Sequence, residues 1–184
     1  MKPRPISESW QRVERWLHDQ ERIRELAPPA TSQDLARVVK RLGVHPHPDH
    51  VQLLLGHNGG GGFTLPPYYE VLSTTEVVDA WRIKTEVWAD HPYSPYRPHW
   101  IPFASDRAGG VLYLDAFQPG EHIGAHDREG TSLLSAHPMW ASLPSLMHHT
   151  ADALESGYTL DRYRRPSDED DSLLWEVLPG AADS

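Results

Sequence analysis

Cysteine is missing from all 184 residues. That excludes a disulfide framework, a thiolate zinc site and a cysteine nucleophile. A chain of this length buries roughly 70% of its unfolded surface, so its core needs no such staple. Long apolar runs are missing too, and a membrane-spanning helix needs about 20 apolar residues. The N-terminal "MKPRPISESW" carries no apolar stretch of the kind a secretory signal needs. Basic residues are scarce: 17 Lys and Arg stand against 26 Asp and Glu, a net charge of -9. Nucleic acid and anionic membrane surfaces need cationic partners, so neither is expected, and a basic partner is favoured. The chain also has no G-x-S-x-G elbow, no H-E-x-x-H, no Walker lysine and no Rossmann glycine spacing. These absences point to a cytoplasmic protein with no cofactor and no assembled catalytic motif.

What is present reads as helices, then strands, then a helix. In "SESWQRVERWLHDQERIREL", Trp10, Val13 and Leu17 keep helical spacing, and the helix is expected to run on towards Pro28 and Pro29. Thr31 and Asp34 form a capping box for a second helix with a stripe of Leu35, Val38, Val39 and Leu42, closed by Gly43. Pro48 suits the first turn of a short third helix, expected to bury Val51, Leu54 and Leu55. Tyr69 to Leu72 is strand-like, and Ser73 with Glu76 caps a helix striped by Val77, Trp81, Lys84 and Trp88. A proline-rich loop follows. Then "WIPFA", "VLYLD", "HIGAH" and "TSLLSA" read as strands. Trp140, Leu143, Met147, Ala151 and Leu154 share the face of a closing helix that Gly157 ends. This order predicts an α+β fold with a central, mostly antiparallel sheet flanked by helices. It places one domain at 1–157 and an extension at 158–184 with an acidic run, Asp168 to Asp171, and a candidate edge strand in "LLWEVL".

Several clusters invite chemistry. His45, His47, His50 and His57 fall near one short helix, but only His50 and His57 lie about two turns apart, a poor chelating pair. They are expected to be solvated helix-end and turn residues. Gly59 to Gly62 follow a helix instead of opening one, so they read as a helix stop and a site of close packing, not a phosphate cradle. His122 and His126 would share one face of a strand beside Asp127, which offers a metal pair or a general base. Asp106 and Asp115 flank a strand and read first as turn residues. Trp88 and Trp100, with Tyr93 and Tyr96, surround the proline-rich loop. They read equally as anchors for a protein partner and as packing over that loop.

Taken in order, "WQRVERWL", "LAPPATSQDLARVVKRLGV", "HPDHVQLLLGHNGG", "LPPYYEVLSTTEVVDAWR", "WIPFASDRAGGVLYLD" and "HDREG" resemble the SUKH superfamily, in particular its Smi/Knr-type branch. The resemblance runs from Trp10 to Gly157. It implies an α+β fold and a non-enzymatic binding role. Bacterial members act as immunity proteins against polymorphic toxins, and fungal relatives regulate cell-wall assembly. The family often has Gly-Asp where this chain has Gly109-Gly110, so any role of that aspartate is absent here. The expected function is therefore an immunity protein that binds a toxin, with Trp88, Tyr93, Tyr96, Trp100 and Asp106 as contact residues. A regulatory scaffold for cell-wall assembly is the alternative, and a metal-dependent enzyme built on His122, His126 and Asp127 is a third.

Overall fold

The structure is a computed structural model that describes residues 3–93, 95–117, 122–166 and 173–178. The acidic run from Asp168 to Asp171 lies outside the described residues. Six strands form one antiparallel sheet in chain order: β1 (Thr64–Leu65), β2 (Tyr69–Val71), β3 (Trp100–Ser105), β4 (Val111–Asp115), β5 (Ile123–His126) and β6 (Thr131–Ser132). Five helices accompany it: α1 (Ile6–Asp19), α2 (Ser32–Leu42), α3 (Pro48–Gly56), α4 (Thr74–Trp88) and α5 (Leu143–Ser156). The α+β architecture with a central antiparallel sheet is as the element order predicts.

Alternation along β4 sorts the molecule into layers. Leu112 and Leu114 join the main cluster with Trp10, Val13 and Leu17 of α1, Leu53 of α3, and Leu146 and Met147 of α5. The intervening Val111 and Tyr113 pack with Tyr96, Ala80, Trp81 and Trp88 on the α4 side. Opposite orientation of successive side chains makes one strand serve both layers. Helix α2 rests on α4 through Val38, Leu42 and Val77, which cluster with Leu72 and Ile101. Between Pro102 and Ala104 the β3–β4 register slips, a bulge that leaves Phe103 without an opposite number.

The capping signals hold. Thr31 and Asp34 bond each other's backbone amides, Ser73 and Glu76 do the same, and Gly43 and Gly157 close their helices with φ of 71°. Three expectations fail. Helix α1 stops at Asp19, because Glu21 takes a left-handed φ of 58° and Arg22 N–H turns back to Leu17 O at 2.7 Å. On α3 the buried face is His50, Leu53 and Leu54, while Leu55 is 48% exposed. The strand expected in "TSLLSA" shrinks to Thr131–Ser132, and Leu133 stands 99% exposed.

Beyond Gly157, β7 (Tyr163–Arg164) pairs with β8 (Glu176–Val177) in a separate ladder. That is where the strand expected in "LLWEVL" goes, not to the edge of the main sheet. Leu173 and Trp175 nevertheless pack into the main cluster. Trp175 Nε1 donates to Thr64 O at 2.9 Å and Thr64 Oγ1 donates to Leu173 O at 2.7 Å, so this segment covers β1.

Candidate functional site

Helix α4 lays its stripe along the sheet, and the stripe ends in an aromatic layer. Lys84 is 5% exposed, although it is a lysine. Its Nζ donates to His126 Nδ1 at 2.9 Å, to His126 O at 3.0 Å and to Asp127 O at 2.9 Å. It lies 5.7 Å from the centre of the Trp88 ring. Burial lowers the Lys84 pKa to about 8, against an opposing pull from Asp127 and Asp106. The Trp88 and Tyr96 rings meet His126 edge-on at 4.8 and 5.2 Å, and Trp100 stacks on Tyr113 at 4.5 Å. Tyr96 Oη donates to Trp100 O at 2.8 Å and Trp81 Nε1 to Pro98 O at 2.8 Å. These bonds pin the proline-rich loop onto α4 and β3.

The five residues singled out from sequence therefore occupy different situations. Trp88, Tyr96 and Trp100 belong to one aromatic layer. Tyr96 lies beneath its neighbours at 1% exposure, Trp88 and Trp100 are half-buried, and Tyr93 is 91% exposed. Burial raises the pKa of the Tyr96 hydroxyl. Asp106 sits in the β3–β4 turn, where its Oδ1 accepts from Ala108 N at 2.8 Å and Gly110 N at 2.7 Å. Asp115 has the same kind of task, accepting from Phe117 N at 2.9 Å.

Asp106 also opens onto something the sequence does not announce. A cleft of about 620 Å³ lies at the end of the sheet. Its lining includes Tyr68 and Tyr69 from β2 and the turn before it, Asp106 from the β3–β4 turn, Asp127 from the β5–β6 turn, and Leu133 to Ser135 after β6. Trp140, Asp161, Arg162 and Tyr163 complete it. Asp127 Oδ1 accepts from Glu129 N at 2.7 Å and Gly130 N at 3.0 Å, repeating the wiring of Asp106. Asp161 Oδ2 accepts from Ser135 Oγ at 2.9 Å. Burial raises the pKa of the Tyr69 hydroxyl, and the nearby Asp106 and Asp127 add to the shift. Behind the cleft wall, Lys84 straps the main chain of His126 and Asp127 to α4.

The histidines are not the solvated set expected. His45 is exposed and His47 caps α3, its Nδ1 accepting from Asp49 N at 3.2 Å. His50 is fully buried with no hydrogen-bond partner at either ring nitrogen, and burial pushes its pKa down to about 3. His57 is buried and bridges Ala27 O and Glu14 Oε1, at 2.5 and 2.9 Å. The buried face of α3, His50, Leu53 and Leu54, continued by His57 at the C-cap, is a two-turn stripe that a hydrophobicity count shifts by a residue. His122 lies before β5 and is exposed, whereas His126 is completely buried under Trp88 and Tyr96 with an ammonium on its Nδ1. Asp127 spends Oδ1 on its turn. No group of three or more His, Asp or Glu able to hold a metal ion occurs among the described residues. The glycine run is a packing device: Gly60 N–H goes to Val71 O and Gly62 N–H to Glu25 O, both at 2.9 Å, and a Cβ on Gly61 would collide with Glu25 O. With those amides committed to the main chain, they do not converge on a phosphate.

Three contributors escaped the sequence. Lys84 carried a signal, since it falls on the stripe between Trp81 and Trp88. Leu133 and Tyr68 carried none, because a strand reading of "TSLLSA" sends one of its two leucines inward.

A family model described as "SMI1 / KNR4 family (SUKH-1)" matches residues 29–135. The match spans α2 through β6 and the cleft residues Tyr68 to Ser135, and leaves α1, α5 and the segment carrying Asp161 outside. No curated protein matches the chain. With more than half of its residues matched, and with the sheet and helix order described above, the chain belongs to the SMI1/KNR4 family (SUKH-1).

Proposed function

We propose that the chain is a cytoplasmic immunity protein that neutralises a toxin domain by binding and covering it. Membership of the SMI1/KNR4 family supports a choice between immunity protein and cell-wall regulator, and its domains are generally non-catalytic binding modules. No helix among the described residues is long and apolar enough to cross a membrane. The observation that carries the reading is the open cleft at the sheet end. It combines exposed apolar side chains with carboxylates held by neutral amides, which leaves their charge available to a partner. An acidic binder is steered towards a basic toxin, and net charge -9 serves that. Trp88, Tyr93 and Trp100 with Asp106 supply the contacts, and Tyr96 supports the two tryptophans from below.

The test is binding of the purified chain to the toxin domain encoded beside its gene. The expected results are a stable complex, loss of toxin activity, and an association rate that falls steeply with salt. Absence of a complex, together with turnover of a small molecule by the purified chain, would end the reading. A scaffold for cell-wall assembly is the second reading that family membership supports. It gains if deletion weakens the wall in cells carrying no such toxin.

A further inference from the structure

An exposed leucine on an acidic cleft narrows what the chain grips. Leu133 is 99% exposed and Tyr68 50% exposed. They rim the cleft of about 620 Å³, whose lining includes Leu134 and Tyr69, both packed against the main core, and Trp140. A cavity of this size takes a few side chains. Exposed apolar side chains gathered at a cleft with polar groups around it are what a binding groove presents.

The charges name the occupant. Asp106, Asp127 and Asp161 line the cleft, and none makes an ion pair with a described residue. Among the described residues the single cation in the lining is Arg162, which lies 6.0 Å from the Tyr163 ring centre. Turn amides hold Oδ1 of Asp106 and Asp127, and an amide orients a carboxylate without cancelling its charge. Lys84, the nearest buried cation, lies behind the wall with its three donors committed to His126 and Asp127.

We propose that this cleft is a docking site for a protein segment presenting an arginine or lysine flanked by aliphatic side chains. The cation meets Asp106 and Asp127 above Tyr69, and the aliphatic neighbours cover Leu133 and Tyr68. This deepens the binding-module reading and rests on it.

The test uses the full chain, 15N-labelled, and two peptides, acetyl-GLRLG-amide and acetyl-GLELG-amide. The arginine peptide is expected to shift amide signals saturably at Asp106 to Gly110, Asp127 to Gly130 and Thr131 to Ser135. Its affinity should exceed that of the glutamate peptide at least tenfold. The Asp106→Asn/Asp127→Asn double variant keeps an oxygen acceptor in each turn, so its thermal midpoint should hold while the arginine peptide weakens tenfold or more. No shifts, equal affinities, shifts centred elsewhere, or an unaffected double variant would each overturn the assignment. So would concentration-dependent shifts at the same residues without peptide, because they would give the cleft to a second copy of the chain. Failure here is separable from failure of the toxin reading. A toxin complex unchanged by the double variant removes the cleft alone, and peptide binding without any toxin complex removes the toxin reading alone.

Discussion

Two open clefts of comparable size carry ionised side chains in this molecule, and they handle charge in opposite ways. One, of about 460 Å³, lies between α2 and α4 and is lined by Asp34, Arg37, Val38, Arg41, Trp81 and Arg82 among others. There two of the arginines pair along their own helix: Arg37 with Asp34 one turn back, and Arg82 with Glu86 one turn on, at 3.2 Å. The other lies at the sheet end, where turn amides satisfy Asp106 and Asp127 and neither forms an ion pair with a described residue. Helical spacing brings opposite charges together at i,i+3 and i,i+4, so a helical groove tends to cancel itself. A turn offers N–H groups, which fix a carboxylate in place and leave its field intact. The sign of a site thus depends on what satisfies its polar groups more than on how many charges line it. His50 is the limiting case, with neither an ion nor an amide beside it.

The strongest way to break this contrast is to remove what stands behind the acidic cleft. Tyr96→Ala takes a fully buried ring from between His126 and Trp100, at an expected cost of about 3–5 kcal/mol in urea unfolding. Tyr96→Phe loses only the bond to Trp100 O and should cost about 1 kcal/mol. If the two variants proved equal, the ring would not be the support described here.

Acid probes the limiting case. Folded His50 stays neutral down to about pH 3, whereas the unfolded ring protonates near 6.5. Between those values the unfolded chain binds the extra proton. Stability therefore falls as pH falls, by up to about 1.4 kcal/mol per unit. His50→Leu should flatten that part of the stability–pH curve, and an unchanged slope would contradict the burial of a neutral ring.

Smaller effects separate the clefts themselves. Asp106→Ala strands two turn amides and should cost about 1–3 kcal/mol, while Asp106→Asn retains an acceptor and should cost less. Arg37→Ala breaks only an exposed pair and should change stability by less than about 0.5 kcal/mol. Thermal or urea midpoints check both, and an Arg37 effect as large as that of Asp106 would erase the distinction.

Local signals were legible where the physics is local. Thr31 with Asp34, Ser73 with Glu76, and the glycine stops at Gly43 and Gly157 depend on residues within a turn of one another, and all four stand. Legibility failed where burial depends on distant elements. A hydrophobicity count on α3 favours Leu55 over His50, yet the histidine is the buried one, its ring edge-on to Phe103 of β3. Nothing near Glu21 in the sequence marks the left-handed break that ends α1. Leu133 reads as half of a strand until β6 proves two residues long.

The sequence by itself determined the element order, the helix caps, the aromatic stripe of α4 and the net acidity, because periodicity, side-chain hydrogen bonds to nearby amides and summed charge are properties of neighbours or of totals. Only the tertiary structure decided that Lys84 is buried against His126, that Tyr96 lies under Trp88 and Trp100, and that Asp106, Asp127 and Asp161 share one opening. The three aspartates are from 21 to 55 positions apart in the chain, and the antiparallel register of β3, β4 and β5, with the return of the chain after α5, is what brings them to the same end of the sheet.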